Sequence, residues 1–441
     1  MLETKDWAAL RRFRQDLYDD LGHRQDSLFE LLDAVLTTAQ RSTLVRLSLA
    51  TAFRRRWPST CDALADGSLD GAALRKRLVR TLSESTTGDQ RPVWVIDGTH
   101  WPRPAARASA DRTWEYRPLP GCPQNGIVPA WAYQWLMAVP DAAGSWALPL
   151  EVRRRGPTAA AATTLALDQI AAVRQLQTVS APRPVVTLDS GYDLETLAQA
   201  QVDADLLVRL AKHRVVYRAA GHYRGRGRPR LHGAPFRLAD ERTQGPPQRS
   251  ARLAHPAYGT VAIDAWTDLH VGGAPQAVFS VVRVQVRQLP TKQLPPQPLW
   301  LAWIGGPLPV DLSLVWHWYL RRFTVEHAFR FLKQTLGWTT IRPRHPRAAD
   351  RWTWLIAAAC WQVWLARPLL TDVRLPWEKP RADGLATPGQ VQRHFSRLLV
   401  RLGTPARAPR PRGKSPGRQF GQHPPPTPHY QVARRSRSPA A

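Results

Sequence analysis

The sequence predicts an α/β protein built on a mixed sheet with helices against its faces. Three observations carry that expectation. Two short apolar runs, VWVID (93–97) and PVVTLD (184–189), read as buried strands that each end in an aspartate. Between them and beyond them, strand-like runs alternate with helix-length segments, the order of an α/β domain. The two ends of the chain differ from this middle. The first 84 residues read as helix throughout, and the residues from 404 onward hold eight Arg or Lys, nine Pro and no acid.

Taken in order, residues 1–84 form an N-terminal helical bundle. LFELLDAVL (28–36) and TLVRLSLATAFRRRW (43–57) carry apolar residues at three- and four-residue spacing, and Pro58 ends the second segment. A third helix is expected at LDGAALRKRLVRTL (69–82). Arg54, Arg55, Arg56 and Arg75, Lys76, Arg77 make the bundle a candidate DNA-binding domain; the plainer alternative is a helical domain with a solvated basic face. STTGDQRP (85–92) is a linker by composition. VWVID then gives the first core strand, with WAYQWLMAV (131–139) and SWALPLEVR (145–153) as two more. An Ala-rich helix over about 158–178 leads to the strand PVVTLD, a helix near 193–201 and the strand DLLVRL (205–210). Residues from about 212 to 290 change to turns, Arg clusters and alternating segments such as YGTVAIDAW (258–266), a mostly β insertion. PLWLAWI (298–304) returns to a core strand, followed by long helices over about 311–335 and 347–367. This is the order of a ribonuclease H-like mixed sheet with flanking helices and a mostly β insertion before the last catalytic helix. The expected division is 1–84, a catalytic domain over 90–370, a C-terminal helical segment over 371–403, and a disordered basic tail over 404–441.

Charge indicates the partner. Of 441 residues, 62 are Lys or Arg against 34 Asp or Glu, a net charge of +28 that a polyanion such as DNA would neutralise. Only seven of those cations are lysines, so GC-rich coding also contributes to the bias. No run of 18 apolar residues and no signal-peptide pattern is present, so no membrane role is expected and the cytosol, around the nucleoid, is the expected compartment. Cys61, Cys122 and Cys360 are far apart and odd in number, which supports neither a disulfide framework nor a zinc site.

The chemistry rests on acids. Asp97 and Asp189, at the carboxyl ends of two buried strands, would lie together and would not both stay ionised without a cation. Magnesium suits such oxygen ligands. Aspartate at strand ends is also an ordinary turn former, so the pair alone is weak. The helix over 311–335 adds Tyr319, Arg322, Glu326 and Lys333. At about 100° per residue, their spacings of three, four and seven place all four within about 60° of one another on an ideal helix. A Glu facing inward beside Arg and Lys is costly unless that face has a task. His327 points about 100° away from Glu326 and reads as a packing or DNA-contact residue. Ser190, Gly191 and Tyr192 shape the turn after Asp189, with Gly191 a candidate for an unusual backbone angle.

The pattern Tyr-x2-Arg-x3-Glu-x6-Lys in WYLRRFTVEHAFRFLKQTLGW (318–338) resembles the YREK signature of a large group of DDE insertion-sequence transposases, and VWVIDGT and VVTLDSGY resemble the segments carrying that family's two aspartates. The resemblance implies a cut-and-paste DNA transposase. Asp97, Asp189 and Glu326 would ligate two divalent cations, Mg²⁺ with Mn²⁺ as the alternative. Tyr319, Arg322 and Lys333 would contact DNA phosphates, and a homodimer would hold the terminal inverted repeats and target DNA. It also implies that a tryptophan of the β insertion stacks on a flipped base, a role open to Trp266; an ordinary core Trp is the other reading. RGRPR (226–230) resembles a minor-groove hook, with Arg226, Arg228 and Arg230 as DNA contacts, although a basic turn is simpler. Two other classes stay open: a catalytically silent DNA-binding relic of a transposase, and a ribonuclease H-like host nuclease.

Overall fold

The computed structural model describes residues 5–40, 42–85, 91–117, 126–140, 144–223, 225, 228–290, 295–371, 373–378, 386–411, 417, 419–423 and 426–435. The bundle begins with α1 (Lys5–Asp19) and α2 (Gln25–Thr37), then a single turn, α3 (Leu44–Leu47), then α4 (Pro58–Asp66) and α5 (Gly71–Ser85). The helix expected over 43–57 therefore forms only at its start. Buried Glu30 on α2 takes both the backbone N–H and the guanidinium of Arg54, and that pull outweighs the local periodicity. Pro58 opens α4 rather than closing a helix, because the first helical position needs no N–H donor.

The sheet comes next: β1 (Val93–Pro102), β2 (Thr113–Arg117), β3 (Gly126–Ala138), β4 (Leu148–Arg155), then α6 (Ala162–Arg174), β5 (Val185–Leu188), α7 (Leu194–Gln199) and β6 (Asp205–Leu210). Asp193 caps α7 by accepting the Thr196 amide. β3 pairs antiparallel with both β1 and β4, while β5 pairs parallel with β1 and β6 parallel with β5. The core order β4-β3-β1-β5-β6 is thus a meander joined to two parallel strands, the ribonuclease H-like order expected from the sequence.

The insertion is β-rich as expected: β7 (Val215–Arg218), β8 (Pro235–Arg237), β9 (Arg249–His255), β10 (Gly259–Val271) and β11 (Ala274–Val286). It does not stand apart from the core. β12 (Leu299–Ile304) pairs with β6 on one side and β11 on the other, so the inserted strands extend the same sheet, which reaches 12 strands.

The remaining helices are α8 (Ser313–Arg321), α9 (Thr324–Arg330), α10 (Pro346–Ala366) and α11 (Pro388–Leu402), with a π-helical turn over Phe331–Thr335 directly after α9. Thr387 and Gln390 cap α11 reciprocally, with Pro388 at its first turn. Alternation along the strands feeds two cores. Val186, Leu206, Val208, Trp300 and Ala302 enter one, and Val185, Leu207, Leu301 and Trp303 the other. α8 covers the second core through Val315, Trp316, Trp318 and Tyr319, whereas Val325, Ala328 and Phe329 of α9 belong to the first. The helix expected as one rod over 311–335 is therefore broken, because its two halves serve opposite faces of the sheet.

α10 carries the first core into the bundle, touching α1, α2, α4, α5 and β4. Of the bundle's basic groups, Arg54 and Arg55 pair with Glu30, Arg75 with Glu151, and Arg77 with Asp16 and Asp20, while Arg56 and Lys76 are exposed. The tail expected to be disordered docks where it is described. Ala406 is buried, the Arg407 amide donates to Asp26, and Ala433 bridges Thr113 of β2 while Arg435 pairs with Glu115. A chain without its own core is held here by backbone bonds to a sheet edge and by ion pairs. No helix among the described residues is long and apolar enough to cross a membrane.

Candidate active site

Asp97 does not end its strand. β1 runs five residues further because β3 keeps pairing with it, with Asp97 opposite Trp135. On the other side, the parallel ladder with β5 stops at Val95–Thr187. Continuing that register sets Asp97 level with Asp189, which follows β5 directly. Each carboxylate accepts a nearby amide, Asp97 from Gly98 at 2.7 Å and Asp189 from Gly191 at 2.8 Å. Gly191 is not among the glycines with positive φ. What the glycine supplies is room, since a Cβ there would lie 3.1 Å from Asp189 Oδ1.

Arg322 joins the two acids. It sits at the break between α8 and α9, where the chain crosses from one sheet face to the other past the strand ends, and the bonds there tighten to three-residue spacing (Val325 to Arg322, Glu326 to Phe323). Its guanidinium lies 3.3 Å from Asp97 and 3.5 Å from Asp189. Arg322 is thus a buried counter-ion of the acids, and among the described residues its Nε has no hydrogen-bond partner. Burial pushes Asp97 up to about 6; Arg322 and the Gly98 amide oppose that, while Asp189 and Glu326 reinforce it.

Glu326 lies in the first turn of α9, exposed, near enough to act on Asp97 electrostatically. Among the described residues, no three His, Cys, Asp or Glu side chains are gathered closely enough to share a metal ion, so Glu326 stands beside the aspartates without completing a set with them. The donors nevertheless suit a hard cation: two carboxylates converge on one positive group, and burial already disfavours a bare charge there.

The remaining sequence candidates divide. Lys333 reaches back along β1 and donates to Thr99 Oγ1, with Phe329 and Trp338 flanking its ammonium. The π turn over 331–335, with Leu336 N bonded to Phe331 O, changes the winding, so the single regular face drawn through Tyr319, Arg322, Glu326 and Lys333 is not kept. Tyr319 is buried in the second core, only 2% exposed. Trp266 is likewise interior, 1% exposed, packed on Phe236 and Trp300 with Nε1 donating to Gly245 O. Its aromatic bulk fills the junction between insertion and core, the ordinary core placement that was the other reading. Arg228 and Arg230 are exposed, and Arg226 falls outside the described residues.

Two residues were missed as members of the site. Tyr192 is buried beside the acids; desolvation raises its hydroxyl's pKa, and Asp97 and Asp189 raise it further. Thr99 is Lys333's partner. Its signal was available, because a residue two beyond Asp97 on a strand shares its face.

With this geometry the chain can be placed. It belongs to the DDE superfamily endonucleases, whose family profile matches residues 16–270, more than half of its length. The match contains Asp97 and Asp189 and stops before Glu326. A cryo-EM structure of the piggyBac transposase synaptic complex with hairpin DNA is similar at a TM-score of 0.43 and 9% identity, over 91% of this chain and 82% of that one. A likeness of that size bears on neither function nor site. No curated protein matches.

Proposed function

We propose that the protein is a DDE transposase that cleaves transposon ends and joins them to a target by metal-dependent phosphoryl substitution. The observation that carries this is the pair Asp97 and Asp189, level on adjacent parallel strands and sharing one guanidinium. Asp97 and Asp189 would hold Mg²⁺, or Mn²⁺ in its place, with Glu326 swinging in from α9 as the third carboxylate. When bound, paired cations polarise the attacking and leaving oxygens of an in-line substitution.

The chain's own groups prepare that chemistry. The Gly98 and Gly191 amides fix the two carboxylates from behind. Tyr192 is buried near enough to both for their charges to act on its hydroxyl. Arg322, once its acids have another cation, is free to turn its fork to a DNA phosphate, and Lys333 holds a second charge one strand repeat away at Thr99. Membership of the YREK group, an insertion-sequence origin, a homodimer on paired terminal repeats and a hairpin route belong to the same proposal and rest on the motif in 318–338.

The test is cleavage of DNA carrying the ends that flank the protein's own gene, with and without Mg²⁺, beside Glu326→Gln. Metal-dependent cuts at the boundaries that vanish in the variant are expected. Tight binding with no cut in either metal would overturn the enzyme reading.

A further inference from the structure

Among the described residues, two of the four buried arginines have an acid, as does the half-buried Arg154. Arg14 pairs with Asp33, Arg154 with Asp111 and Asp350, and Arg322 with Asp97 and Asp189. Arg103, just past the end of β1, has none among the described residues. It is 7% exposed, its guanidinium donates to Ser109 Oγ and Pro343 O and lies 4.8 Å over the Trp131 ring, and its Nε is buried with no partner among the described residues. Its charged neighbours are cations. Arg112 and Arg342 both act on it, and with its burial they press its pKa down to about 10. Arg112 is itself buried, held by the carbonyls of Arg103, Ser109 and Tyr430. Arg342 is exposed, and its side chain makes no hydrogen bond or ion pair among the described residues. Asp111, in the segment between Arg103 and β2, and Asp350, on α10, are engaged by Arg154. A sequestered guanidinium beside two more cations is unfavourable unless an anion completes the site.

The position of the cluster indicates which anion. Asp97, Thr99, Trp101 and Arg103 alternate to one side of β1 and its extension, and Lys333 is held at Thr99 between the acids and the cluster. Six residues of strand span about 20 Å, the axial rise of roughly six base pairs. We propose that Arg103, backed by Arg112 and fronted by Arg342, binds a backbone phosphate of duplex DNA whose neighbouring segment lies at the acids. The DNA partner rests on the transposase reading above; the anion site rests on the cluster itself. Arg342 makes the outer contact and its planar fork suits a phosphate.

The test uses the full chain in EDTA, so that no chemistry takes part, with a labelled duplex carrying the element's end and anisotropy read across a salt titration. Arg342 is exposed, so Arg342→Ala should fold normally, which its melting curve checks. Arg342→Ala is expected to bind several-fold more weakly and to lower the slope of log affinity against log salt by about one. Arg342→Lys should restore the slope without the full affinity. Arg80→Ala, a control on an exposed arginine of α5 in the bundle, should leave the slope as in wild type. Wild-type affinity and slope in Arg342→Ala, or an equal loss in Arg80→Ala, would overturn the phosphate site. Neither result depends on cutting, so a failed cleavage assay and a failed phosphate site remain separate outcomes.

Discussion

Burial and two neighbouring carboxylates hold Asp97 in an unfavourable state at neutral pH. Its pKa rises from an ordinary value of 3.8 in the unfolded chain to about 6 in the fold. A carboxyl shifted upward favours folding while protonated, below the unfolded value, and that advantage is lost as pH climbs through the folded value. By linkage the difference amounts to about 3 kcal/mol above pH 6. Asp97→Asn should therefore melt higher than wild type in metal-free buffer at pH 7.5, and the gap should close by about pH 4. A variant that melts no higher at pH 7.5 would contradict the assigned environment. At this scale the sequence was informative about the acids and misleading about the aromatics. Asp97 and Asp189 were legible because each closes an apolar run, and the parallel register of those two runs sets them level although β1 itself continues. The interior placement of Trp266 and Tyr319 was not, because nothing local separates an aromatic that fills a core from one at the surface; they are 1% and 2% exposed.

The element that matters most is the broken helix. Periodicity over 311–335 gave a rod, and on a rod Arg322 and Glu326 would share one face. The chain instead packs α8 on one side of the sheet and α9 on the other, and the crossing point lands Arg322 between the aspartates. One guanidinium nitrogen, Nη2, lies within ion-pair distance of both carboxylates. Arg322→Met should cost about 1–3 kcal/mol at pH 7.5, because two partly buried carboxylates then face each other unpaired. The cost should shrink near pH 5, where one of them takes up a proton, as denaturant midpoints at the two pH values would show. An equal loss at both would mean that Arg322 acts by packing alone. β1 gives the same lesson in another form. Its sequence signal stops at Asp97, but pairing with β3 carries the strand to Pro102 and brings Thr99 to Lys333.

Over the whole molecule the bundle, the sheet and the insertion share one core. It runs from Leu10 through Trp266 to Ala406, with α10 buried against four helices of the bundle. Removal of residues 1–84 would strip α10 of that cover and expose its apolar face. Thermal unfolding of the intact chain should thus show one cooperative transition, and the 85–441 fragment should be insoluble. Two separated transitions, or a soluble and folded fragment, would show that the bundle is an independent unit.

The sequence by itself determined the class of fold, the helical start, the β-rich insertion, the two aspartates and the motif around Glu326. These depend on periodicity, strand termini and residue spacing, which are local properties. Only the tertiary structure decided that the insertion extends the central sheet, that Arg322 neutralises the acids, and that Arg103 is buried with no acid beside it among the described residues. Each of those depends on which residues far apart in the chain meet, and on whether a charge finds its opposite after the chain has folded.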